Sequence, residues 1–128
     1  MKSAIQLLLV LLFFAGCGKK EEKTPQETTN TEETAASPAE LGKEIFEGKG
    51  NCFACHMTDQ KVVGPSIIEI AHSYRQKQGD IVEFLKGNAK PIVDPSQFEV
   101  MKANLEITKS MTNDELNSLQ AYIFSFLK

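Results

Sequence analysis

Residues 52–56 read Cys-Phe-Ala-Cys-His, and this stretch decides how the rest of the chain is interpreted. The spacing lets each thiol bond one vinyl group of a haem, and the next imidazole then lies under the ring, where it can ligate the iron. A redox dithiol of the thioredoxin kind would accompany a βαβ pattern, which this sequence lacks. A structural zinc site needs four ligands, and His72 is the only further candidate near the motif. The stretch therefore predicts a haem c bound through Cys52 and Cys55, with His56 on the iron.

Length, composition and charge limit the chain to one small domain without a nucleic-acid surface. The 128 residues are 41% hydrophobic and include three cysteines. A core of this size is thin, so a large apolar cofactor tied inside it would help the domain to fold. The formal net charge is −3, which excludes the basic surface that binds nucleic acid.

The N-terminal segment, residues 1–16, has the features of an export signal. Lys2 supplies the positive charge, and the apolar run of residues 7–15 is too short to span a bilayer. Phe14-Ala15-Gly16-Cys17 resembles a bacterial lipobox, which implies cleavage before Cys17 and lipid on that residue. The alternatives are an ordinary signal peptide with an incidental cysteine, or a retained anchor. Cys17 is the one thiol outside the C-x-x-C-H motif, and this favours the lipid.

The lipidated Cys17 begins a second region, residues 17–36, which is predicted to be a disordered tether. It is rich in Thr, Glu and Lys and nearly free of large apolar residues, so it cannot bury enough surface to fold. The folded domain is then residues 37–128.

Helical signals fill this domain, and no alternating strand pattern competes with them. Ser37 with Glu40, Ser66 with Glu69, and Thr112 with Glu115 have the spacing of capping boxes. Apolar residues follow each box at helical intervals, and they are Leu41, Ile45 and Phe46; Ile67, Ile70, Ala71 and Tyr74; and Leu116, Leu119, Tyr122, Ile123 and Phe126. A short helix is expected at residues 80–86, the last helix at 113–127, and an irregular loop at 90–104. The fold class is therefore all-α.

Three further residues have predicted roles: one in helix packing, one beside His56 and one at the surface. Gly42 lies inside the first helix, where it costs about 1 kcal/mol relative to Ala, so it suggests the close approach of another helix. The carbonyl of Pro65 is free to accept the second N–H of His56, although a plain turn would also explain this proline. His72 falls outside the apolar face of its helix and is expected to face water.

Taken in order, these features resemble class I cytochrome c, and with the lipobox they resemble its short, lipoprotein-anchored bacterial monohaem form. The matching features are Gly42 and Phe46, Cys52-Phe53-Ala54-Cys55-His56, Gly64-Pro65, a downstream methionine, and Leu119 with Tyr122. The resemblance implies a cytochrome c fold of four to five short helices around one covalent haem. It also implies that the first and last helices cross at Gly42 and that Pro65 orients the proximal histidine.

The same resemblance implies a methionine as the second iron ligand. Met57 adjoins His56 and cannot reach the opposite face of the haem. Met111 precedes Thr112 at a hydrophobic-staple position, which gives it a structural role. Met101 lies in the predicted loop and is the preferred ligand, with core packing as its alternative role. Met111, or no methionine, remains the alternative.

An iron with both axial positions filled has no site for substrate, so an electron carrier is predicted rather than an enzyme. The expected partners are redox proteins, namely a quinol-oxidising complex and a terminal oxidase or reductase, met transiently by a monomer. The expected location is the cell envelope, lipid-anchored through Cys17 on the extracytoplasmic side of a bacterial membrane. The competing hypotheses are a haem c enzyme or gas sensor with an open iron site, of peroxidase type, and a dithiol protein without haem.

Overall fold

The computed structural model describes residues 36–128, so the predicted signal segment, Cys17 and the tether as far as residue 35 lie outside the described residues. Five α-helices follow one another: α1 (Pro38–Glu47), α2 (Ile67–Gln76), α3 (Ile81–Leu85), α4 (Phe98–Thr108) and α5 (Asn113–Phe124). Two 3-10 turns, Cys52–Ala54 and Pro95–Gln97, precede α2 and α4. From residue 36 onward there is no β-strand, so the predicted all-α class is confirmed. No helix in this part of the chain has the length and apolar character needed to cross a bilayer.

The first and last helices of the domain, α1 and α5, both begin at capping boxes. The Ser37 hydroxyl accepts from the Glu40 amide at 3.3 Å, and the Glu40 carboxylate accepts from the Ser37 amide at 2.7 Å. Thr112 and Glu115 repeat the arrangement at 3.3 and 2.9 Å. Each box satisfies amide groups that the first turn of a helix otherwise leaves unpaired, which is why both starts were predictable from sequence.

Helices α1 and α5 cross at Gly42, as predicted. A β-carbon placed on Gly42 would lie 1.9 Å from the carbonyl oxygen of Ser118 and 2.8 Å from the β-carbon of Tyr122. Beside this contact the rings of Phe46 and Tyr122 pack with their centroids 5.3 Å apart. The glycine is therefore required by the close approach of the two backbones.

The apolar faces of α2 and α3 complete one core with this crossing. Its buried apolar side chains are Ile45, Phe46, Ile67, Ala71, Tyr74, Ile81, Leu85, Leu105, Leu116, Leu119 and Ile123. His72 is exposed on the far side of α2, as its position relative to the apolar face predicted.

The structure differs from the sequence prediction in five places. The capping box expected at Ser66 and Glu69 is half formed, because the Ser66 hydroxyl accepts from the Glu69 amide at 3.1 Å without the return hydrogen bond. The helix expected at residues 80–86 spans Ile81–Leu85. Residues 98–104 belong to α4 and are not an irregular loop, because the turn Pro95–Gln97 leads directly into a stretch without Gly or Pro. Helix α5 ends at Phe124, where the Ser125 hydroxyl donates to the Tyr122 carbonyl at 2.6 Å. Leu41 is 39% exposed, since only Ile45 and Phe46 of the predicted stripe face the core.

Candidate functional site

The imidazole of His56 is fixed by the chain that follows it. Its Nδ1–H donates to the Pro65 carbonyl, 2.7 Å away, so Nε2 is left as the nitrogen free to bind a metal. A β-carbon on Gly64 would lie 2.4 Å from His56 Cε1, which means that the ring lies directly against this glycine. Gly64 and Pro65 therefore set the position and the tautomer of the imidazole together.

Cys52 begins the 3-10 turn, and Cys55 follows it directly before His56. The amides of Cys55 and His56 both donate to the Cys52 carbonyl, at 3.1 and 3.0 Å, which places all three side chains on one turn. Burial raises the pKa of the Cys52 thiol to about 11. Reactive dithiols of the C-x-x-C type work with a lowered thiol pKa, so this environment does not favour the redox-dithiol hypothesis.

His56 borders a cavity of about 240 Å³, which residues from the segment 91–104 also line. The lining is mainly apolar and includes Phe46, Cys52, Cys55, His56, Pro65, Ile70, Tyr74, Ile81, Phe84, Leu85, Ile92, Val93, Phe98, Met101, Asn104, Leu119 and Ile123. The two thiols, one imidazole and one thioether are the soft and nitrogen donors in this lining, and the apolar walls suit a porphyrin face. The residues present therefore fit a haem.

Met101 lies in the first turn of α4, half-buried against the core. Of the methionines in the described part of the chain, it is the one that lines this cavity together with His56. Met111 packs beside the core away from that lining, and Met57 is 44% exposed beside a separate groove. Sequence reasoning thus named the methionine that shares the cavity, although it placed it in a loop.

Two contacts between the segment 94–104 and the chain around the C-x-x-C-H motif were not predicted. The side-chain amide of Asn104 donates to the Gly50 carbonyl at 3.2 Å, and the Lys61 ammonium donates to the Asp94 carboxylate at 2.7 Å. The hydrogen bond from Lys61 lowers the pKa of Asp94 to about 2. Each contact joins chain segments more than 30 residues apart, 54 and 33 residues respectively, so no local sequence pattern indicates either.

Comparison with known proteins agrees with this geometry. The family model described as cytochrome c matches residues 39–126. The chain is 41% identical over 56 residues to cytochrome c-552 of Nitrosomonas europaea, covering 44% of this chain and 48% of that protein, so the match spans about half of that relative. It is 40% identical over 62 residues to cytochrome c-551 of Pseudomonas denitrificans, covering 42% of this chain and 73% of that protein. The chain therefore belongs to the cytochrome c family, class I, and its cofactor is a single covalently bound haem c.

Proposed function

We propose that the protein is a membrane-tethered carrier of single electrons, with its haem bound through Cys52 and Cys55 and its iron ligated by His56 and Met101. The observation that carries the proposal is the position of Met101 and His56 on the lining of one apolar cavity. A haem iron ligated by histidine and methionine changes its oxidation state with both axial positions occupied, and methionine raises its potential.

The chain's own residues favour electron transfer over substrate chemistry. The Pro65 carbonyl accepts the Nδ1–H of His56, so Nε2 is the nitrogen through which the imidazole would bind the iron. The apolar walls of the cavity would exclude water from a haem bound there. Without water, placing additional charge at the iron would cost more free energy. Arg75, which a peroxidase-type mechanism would want at the distal side, is exposed on α2 and is absent from the described lining of the cavity.

The proposed partners are redox proteins of a respiratory chain, with a quinol-oxidising complex as donor and a terminal oxidase or reductase as acceptor. Small, transient interfaces suit a carrier that must leave each partner quickly. The two relatives carry the names cytochrome c-552 and cytochrome c-551, which support the cytochrome assignment and name no partner.

The visible spectrum of the ferric holoprotein tests the ligand assignment. We expect the weak far-red band of a methionine–iron(III) bond in the wild type and its loss in Met101→Ala. Met111→Ala is the matched control, since it removes a methionine that packs against the core, and it should keep the band. A high-spin ferric iron in the wild type would contradict the electron-carrier proposal and favour an open-site enzyme or sensor.

The tether is tested separately, because it rests on the sequence of residues 14–17 alone. Cys17→Ser should abolish labelling by a radioactive fatty acid, because the residue that takes the lipid is removed. Cys17→Ala is an equivalent second variant. A wild-type protein that takes up no lipid label would overturn the anchor while leaving the haem chemistry untouched.

A further inference from the structure

Helix α4, which carries Met101, is firmly anchored at its C-terminal end. Leu105 is 3% exposed and Thr108 is fully buried. The Thr108 hydroxyl donates to the Leu85 carbonyl at 2.6 Å, which ties this end of α4 to α3. A buried hydrogen bond beside buried apolar groups makes this end part of the rigid core.

The N-terminal end of α4 is held much less. Val100 is 57% exposed, Met101 is half-buried, and Gln97 at the N-cap position makes no side-chain capping hydrogen bond. The ring of Phe98 packs against Phe84 with the centroids 6.1 Å apart, and this is an apolar contact at the start of the helix. Met101 therefore sits near the weakly held end of a helix whose other end is fixed.

One ion pair joins the segment before this weakly held end to the loop that follows His56. Lys61 lies on the loop after His56, and Asp94 precedes α4 and lines the cavity; their Nζ and Oδ2 atoms are 2.7 Å apart. The Asp94 carboxylate also accepts from the Ser96 hydroxyl at 2.6 Å, and its side chain is 17% exposed, so it is held in place for the ammonium. The other ion pairs within residues 36–128 are local to one segment, apart from Lys49–Glu115 between the ends of α1 and α5.

We propose that Lys61 and Asp94 form an electrostatic latch that holds the N-terminal end of α4 over the cavity and so positions Met101 at the distal face. The two residues are positioning residues, which act on the iron ligand through the segment 94–101. The latch rests on the proposed function, since it presumes Met101 as a ligand.

The latch sets the fraction of molecules in which Met101 has left the distal position. An external ligand that replaces methionine binds only this open fraction, so its apparent affinity is proportional to that fraction. Lys61 is 53% exposed and solvent screens the pair, which limits the expected change to about two- to five-fold.

Titration of the ferric holoprotein with imidazole, followed through the loss of the far-red band, measures this fraction. We expect Lys61→Gln and Asp94→Asn each to bind imidazole about two- to five-fold more tightly than the wild type. Lys61→Arg keeps the ion pair and should restore wild-type affinity. Lys43→Gln is the matched control, because it removes a lysine from an exposed local pair with Glu47 on α1, and it should leave the affinity unchanged.

The double variant Lys61→Gln/Asp94→Asn separates a latch from two unrelated charges. If the residues act on each other, the double variant binds imidazole no more tightly than either single variant; additive effects overturn the proposal. An effect of Lys61→Gln without one of Asp94→Asn also overturns it, since Lys61 would then act on another anion such as a haem propionate. Absence of the far-red band from the wild type would refute the proposed function itself, whereas a wild-type band with unchanged variants would refute the latch alone.

Discussion

The α1–α5 crossing and the distal segment, residues 94–101, belong to the same small domain, yet they are held by opposite means. At the crossing, two backbones touch at Gly42, Phe46 packs on Tyr122, and Leu119 is 1% exposed. At the start of α4, Val100 is exposed, and a solvent-accessible ion pair links Asp94 to Lys61 on the loop after His56. The crossing is stabilised by direct packing between two helices, whereas the distal segment lines the cavity that His56 borders.

This difference suits a protein whose scaffold must stay fixed while a single ligand is adjusted. Dense packing makes the crossing intolerant of added volume. Half-exposed polar contacts contribute little individually, so the distal segment is the part in which local opening occurs first. Substitutions at the two sites are therefore expected to differ in size and in the spectroscopic signal that they change.

The largest effect is expected at the crossing, for Gly42→Ala. The added β-carbon would lie 1.9 Å from the Ser118 carbonyl oxygen, so the helices must separate. We expect the free energy of unfolding of the holoprotein to fall by about 3 kcal/mol or more, measured by guanidinium denaturation with helicity and haem absorbance as probes. Lys43→Ala, one residue away and exposed, should change it little; a similar loss in both variants would mean that the contact at Gly42 is not the cause.

The next effect is expected at the anchored end of α4, for Thr108→Val. This change removes the hydroxyl that donates to the Leu85 carbonyl while keeping the shape of the side chain. We expect a loss of about 1–3 kcal/mol, with the far-red band disappearing at lower denaturant than the helical signal. Thr108→Ser keeps the donor and should keep the two transitions closer together. Coincident loss of the far-red band and of the helical signal in Thr108→Val would contradict the expectation that α4 opens before the rest of the domain unfolds.

Removing the N-cap of α5 should lower the stability of the whole domain by less, without a separate effect on the distal segment. In Thr112→Ala the Glu115 amide loses its acceptor at the start of α5. Stability should fall by about 1 kcal/mol, with haem and helix signals moving together. Thr112→Ser retains the hydroxyl and is the control. A change in the far-red band without a change in helicity would argue that the crossing and the distal segment are not independent.

The smallest effect is expected from acid at Asp94. Its folded pKa of about 2 is depressed below the unfolded value of about 3.9, because the carboxylate accepts hydrogen bonds from Lys61 and Ser96. A depressed carboxyl pKa stabilises the fold above the unfolded pKa, and this contribution is lost as pH falls through about 2. The far-red band of the wild type should therefore persist to a higher denaturant concentration than that of Asp94→Asn at pH 5. This difference between the two proteins should shrink as the pH falls towards 2. A difference that stays constant over this range would exclude the ionised carboxylate as its origin.

The sequence predicted the crossing better than the distal segment. The reason is that the interactions which define the helix starts join residues close together along the chain. Helix starts at Ser37 and Thr112 depend on residues three positions apart, which a reader of the sequence sees directly. Gly42 was also interpretable, because a glycine inside a helix is costly without a close neighbour. Residues 98–104 were predicted as loop because Pro91 and Pro95 suggested a break, whereas the residues after Pro95 include no Gly or Pro and form α4.

By itself, the sequence predicted haem attachment at Cys52 and Cys55, the all-α class and His56 as an iron ligand, because these follow from residue types at fixed local spacing. It also directed attention to Met101. Only the tertiary structure decided that Met101 shares a cavity with His56, that Gly64 lies against the imidazole, and that Lys61 reaches Asp94. These contacts join segments that are distant in the chain or depend on how a loop closes, and such contacts depend on packing of the whole domain rather than on any local pattern.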